Sequence, residues 1–87
     1  MNRAECIDAA TAAINGPRQQ DYGSARENFA NIAAGWSVIL GQTVTVEQVA
    51  LCMVWVKAAR LVNSPNHADS WIDMVGYAAL GGEVSDA

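Results

Sequence analysis

The stretch from Val46 to Val62 leaves this chain few ways to fold. Placed on a helix, Val46, Val49, Leu51, Val54, Trp55, Val56 and Leu61 cover almost the whole circumference rather than one stripe. Such a segment is either the central element of a helical bundle or a helix with a second apolar face available to another copy of the chain. Its β-branched content gives a strand over 49 to 56 as the competing reading, but the unbroken length between two breaker regions favours a helix. The apolar run from Val49 to Val56 is also far shorter than the roughly 20 residues needed to cross a bilayer.

The flanking sequence supplies three more helices. Residues 3–14 place Cys6, Ile7, Ala10, Ala13 and Ile14 at amphipathic spacing and stop at Asn15-Gly16-Pro17, with Gly16 suited to a left-handed terminus. Ser24 and Glu27 form a capping-box signal for a helix over 24–40, which Gly41 ends. Thr45 and Gln48 repeat that signal at the start of the 46–62 helix. Asn63-Ser64-Pro65-Asn66 turns the chain into a fourth helix over 68–80, ended by Gly81-Gly82 and followed by a frayed acidic tail. The expected fold is all-α, a compact four-helix bundle in a single domain spanning 1–87, with no internal repeat.

Composition bounds the partners. A chain of 87 residues buries only a modest core, yet 52% of its residues are hydrophobic and 16% charged, an excess that predicts homo-oligomers formed through apolar helix faces. One Lys and four Arg against a formal net charge of −4 exclude broad binding along a nucleic-acid backbone, and they leave enough cations for one small anionic ligand. Arg3, Glu5 and Asp8 interrupt any leader-like run at the start. Cys6 and Cys52 lack metal or redox spacing and read as buried free thiols, so the chain is expected in the cytoplasm, away from membranes.

The polar residues that interrupt the apolar pattern are the candidate site. Asp69 and Asp73, four apart on one helix face, repel unless a cation or donors stand opposite. They could take Mg²⁺ or Mn²⁺, which prefer hard oxygen ligands. The competing reading sets Asp69 at the positive end of its helix and pairs Asp73 with Lys57 or Arg60. Lys57 and Arg60, three apart, are candidates for holding a phosphate or carboxylate, with snorkelling to solvent as the alternative. His67 stands at the turn into the last helix, where capping competes with ligand binding. Asn28 and Asn31 are poor helix formers, so an interior polar role competes with plain exposure. Tyr22, in the turn Asp21-Tyr22-Gly23, could stack on a base. Nothing in the chain has the pattern of a catalytic nucleophile.

Arg18, Asp21-Tyr22-Gly23, Glu27-Asn28-Phe29, Ile32-Ala33 with Trp36, Lys57-x-x-Arg60-Leu61 and His67-x-Asp69-x-x-x-Asp73-x-x-Gly76-Tyr77-Ala78 together resemble a family of small phage and prophage proteins over residues 18 to 80. The pattern is also similar to phage nucleotide-modification-associated proteins and, more distantly, to MazG-like all-α nucleotide pyrophosphohydrolases. In the latter, an ExxE helix facing a second acidic pair holds Mg²⁺ against a nucleoside triphosphate. The resemblance implies Asp69 and Asp73, with Glu27 beside them, as metal residues. Lys57 and Arg60 would then hold phosphate, and Tyr22, Asn28 and His67 would contact the ligand. This sequence departs from the enzymes by offering Glu27, Asn28 and Asn31 where two or three Glu are expected. That pattern implies a protein able to bind a nucleotide without a complete hydrolytic centre. A different class of function remains open: a non-catalytic oligomer that sequesters a nucleotide signal or engages a host defence protein, with the same polar residues fixing helix register.

Overall fold

A computed structural model describes residues 1–16 and 23–85. Four helices follow in chain order: α1 (Arg3–Asn15), α2 (Ala25–Leu40), α3 (Val46–Asn63) and α4 (Ala68–Ser85). No strand occurs among the described residues, and the architecture is an all-α four-helix bundle. No helix among them is long and apolar enough to cross a membrane.

Local chemistry sets the helix starts. Asn2 and Glu5 close a capping box on α1, with the Glu5 N–H donating to Asn2 Oδ1 at 2.8 Å. Ser24 Oγ accepts the Glu27 N–H at the head of α2. Thr45 and Gln48 exchange side-chain and backbone bonds at the head of α3, as their spacing predicts. Gly41 ends α2 in the left-handed conformation, at φ 68°. Gly16 does not do the same for α1, since its φ of −93° is not left-handed; a Cβ there would instead lie 2.9 Å from the Ala12 carbonyl oxygen. Ser37 ties the α2–α3 turn together: its hydroxyl donates to the Ala33 carbonyl and accepts the Val44 N–H.

The last helix runs further than its sequence predicts. Gly81 and Gly82, expected to end it at Leu80, lie inside α4, which continues to Ser85. Tertiary contacts override the glycine signal. A Cβ at Gly81 would lie 2.9 Å from the Ala50 Cβ, so the missing side chain is what lets α4 close against α3. Val84 is then fully buried, and the Arg26 guanidinium donates to its carbonyl at 2.7 Å, satisfying a helix-end acceptor from outside the helix.

The core joins α2, α3 and α4 through Phe29, Ala33, Val49, Ala50, Tyr77 and Val84. The helix that touches all three others is α4, with its most extensive packing on α3, while α3 meets only α4 and α2. Of the two roles that its apolar circumference allowed for α3, the central one therefore falls to α4. The outward side of α3 stays uncovered, and Cys52, expected to be buried, lies exposed on it. Cys6 is half-buried on α1.

Candidate functional site

Two neighbouring places carry the polar residues singled out by the sequence. The first is an ion pair between helices. Lys57 on α3 reaches Asp73 on α4, with Nζ 3.0 Å from Oδ2. The lysine side chain is 13% exposed and the carboxylate 39%, so the pair sits at the edge of the α3–α4 packing rather than deep within it. The apolar face of α3 forces the lysine stem inward, and Asp73 supplies the charge that makes this tolerable. The other members of the two couples do not join them. Asp69 is exposed in the first turn of α4, where it complements the positive end of the helix. Arg60 is exposed in the last turn of α3.

His67 stands immediately before α4. Its Nδ1 lies 2.8 Å from the hydroxyl of Ser70, whose backbone N–H donates to the His67 carbonyl. Ser70 is buried, so this exchange satisfies a hydroxyl that would otherwise be stranded in an apolar setting. Close by, the Trp71 indole N–H donates to the Pro65 carbonyl and pins the same turn.

The second place is a cleft of about 240 Å³ where the end of α1, the start of α2 and the later turns of α4 meet. Ile14, Phe29 and Leu80 give it an apolar floor, while Asn15, Ser24, Asn28 and Glu83 place polar groups around it. Gly23, the first described residue before α2, lies on its wall with φ 75°, a conformation that favours glycine and delivers the chain to the Ser24 cap. Among the described residues, Asn28 is the one predicted ligand residue on this wall. Glu27, next to it, is exposed. Tyr22 lies outside the described residues.

Sequence reasoning missed two members of the cleft. Asn15 read only as a helix terminus and Glu83 only as part of a tail. The one available signal was an apolar residue, Val84, beyond the two glycines, which the structure buries.

A second, smaller cleft includes Asp73 and shares Ile14 and Leu80 with the first, so the ion pair and the larger cavity are neighbours along α4. Among the described residues no three His, Cys, Asp or Glu side chains come together, and Asp73 Oδ2 faces the Lys57 ammonium.

The model of a domain of unknown function, DUF6378, matches residues 5–85. The chain belongs to the DUF6378 family. It is 40% identical over 75 residues to the Gene 55 protein of Mycobacterium phage L5, a match covering 85% of this chain and 48% of that protein. It is 39% identical over 72 residues to the Gene 55 protein of Mycobacterium phage D29, covering 83% and 48% respectively. This DUF6378 chain therefore spans about half the length of the phage relatives it matches. No solved structure matches it.

Proposed function

We propose that this DUF6378 protein binds a nucleoside or nucleotide, with the base and sugar in the cleft between α1, α2 and α4. The observation that carries this reading is the combination of two side-chain amides, Asn15 and Asn28, with the Phe29 floor in one cavity. An amide presents a donor and an acceptor side by side, the pattern that matches the edge of a base, while an apolar floor receives its flat face.

Size and charge narrow the ligand. At about 240 Å³ the cavity lies just under the roughly 300–1,000 Å³ range of sites that enclose drug-sized ligands, so it suits a base with its sugar and leaves phosphates outside. Glu83 on the wall and a chain carrying −4 do not favour bare phosphate, so a polyphosphate would arrive with Mg²⁺ or Mn²⁺ as its own counter-ion. Lys57, Arg60 and His67 are not on the wall of the cleft, and their part in this reading is at most a second, outer contact for phosphate. Binding without hydrolysis is the proposed activity.

Isothermal titration with nucleosides, monophosphates and triphosphates, each with and without Mg²⁺, tests the reading on the wild-type protein and on Asn28→Leu. Saturable binding of a nucleoside or nucleotide, weakened about tenfold or more by loss of the amide, is expected. Absence of binding across the whole panel, or binding indifferent to both Asn28→Leu and Asn15→Leu, overturns it.

A further inference from the structure

The outward side of α3 is a continuous apolar stripe. Leu51, Trp55, Ala59 and Val62 follow one another at steps of four, four and three residues, and Cys52 and Val56 adjoin them. All six are exposed, Trp55 at 75% and Val62 at 87%. The stripe runs about 16 Å along the helix at 1.5 Å per residue. Gln48 stands at its start and Asn63 at its close, and the exposed Arg60 flanks it beside Val56.

We infer that this stripe is the contact surface of a homodimer, in which α3 of one copy packs across α3 of a second. The area on offer argues for it. The chain exposes 5900 Å², whereas a folded monomer of its 9.2 kDa is expected to expose about 4,900 Å². The excess, about 1,000 Å², is spread over the whole surface, including Val38, Ile39 and Leu40 on α2; it is of the order of the roughly 800 Å² per partner that a standard stable interface covers, and the stripe is the part of it that runs unbroken along one helix. Dimensions agree: the radius of gyration is 13.5 Å, against about 12 Å for a compact domain of this length.

The chemistry of the stripe selects a second copy. An anionic lipid surface or a nucleic acid would need cations along it. The basic residues of α3 are Lys57, turned onto Asp73, and Arg60, which lies outside the six. Relief along the stripe is self-complementary. Trp55 stands between two small residues, Cys52 three positions before it and Ala59 four positions after it, so each copy offers one large side chain and recesses to receive another. A two-fold interface needs that combination on a single surface.

Sedimentation equilibrium of the full chain, from about 1 to 100 µM, reads the outcome directly. A monomer–dimer equilibrium is expected for the wild type. Trp55→Glu should raise the dissociation constant at least about 30-fold, the scale of a hot-spot residue. Its far-ultraviolet circular dichroism should be unchanged, because Trp55 makes little of the monomer's core. Ile7→Glu, at an exposed apolar position on α1, which does not touch α3, should leave the dimer intact. A wild type that stays monomeric throughout the range overturns the inference. So does association that survives Trp55→Glu, or association abolished by Ile7→Glu instead.

Discussion

The two sides of α3 carry the same kinds of residue and meet opposite fates. Val49 and Ala50 are buried at 0% and 4%, while Leu51 and Trp55, on the same helix, are mostly exposed. Hydrophobicity therefore does not say which side is covered. What distinguishes the inner side is fit: small Ala50 faces the bare backbone of Gly81, and the helices close on each other there. On the outer side, bulky Trp55 is 75% exposed and no described helix covers it. A helix whose whole circumference is apolar can satisfy one side by folding, and the other remains for association.

The sharpest way to break this comparison is to place a charge on each side in turn. Val49→Asp buries an unpaired carboxylate and should cost at least about 4 kcal/mol, enough to unfold much of a small domain. Urea denaturation followed by circular dichroism checks it. The matching Trp55→Glu, measured at low concentration where any dimer has dissociated, should change stability by no more than about 0.5 kcal/mol. Equal losses from the two would mean that the outer side is covered within the chain.

Next in size is the fit itself. Gly81→Ala pushes a methyl group into Ala50, an overpacking cost of about 1–3 kcal/mol that outweighs the gain in helix propensity of about 1 kcal/mol. Gly82→Ala meets nothing within 4 Å and should stabilise by up to about 1 kcal/mol. Thermal melts of the two variants, one lowered and one raised, would confirm that close approach and not flexibility explains the first glycine.

A smaller effect is expected at the ion pair. Lys57→Met keeps the packing stem and removes the charge, leaving Asp73 unpaired but 39% exposed. Solvent limits the loss to about 1 kcal/mol. A loss of several kcal/mol in a chemical melt would show that Asp73 is more enclosed than the pairing geometry indicates.

The helices themselves were legible because their causes are local. Thr45 with Gln48, Ser24, Gly41 and the Asn63–Asn66 turn act within a few residues, and each is where its spacing predicts. Gly81-Gly82 misled for the complementary reason: a glycine pair is a stop signal only until a neighbouring helix needs the space that the missing side chain leaves. The candidate site divides along the same line. Pairing of Asp73 with Lys57 was one of the arrangements open from sequence, since a partly buried lysine requires a carboxylate. The cleft was not visible, because Asn15, Asn28 and Glu83 come from three helices, and no pattern along the chain relates them.

From the sequence alone came the all-α class, the four helices, most of their ends and the surplus of apolar surface. These depend on interactions among residues a few positions apart and on composition. Only the tertiary structure decided that α4 and not α3 is the hub, that α4 continues through its glycines, and that neither Lys57 nor Arg60 lines the larger cavity. Each of these depends on which surfaces interlock at contact distance, and residue type and spacing leave that open.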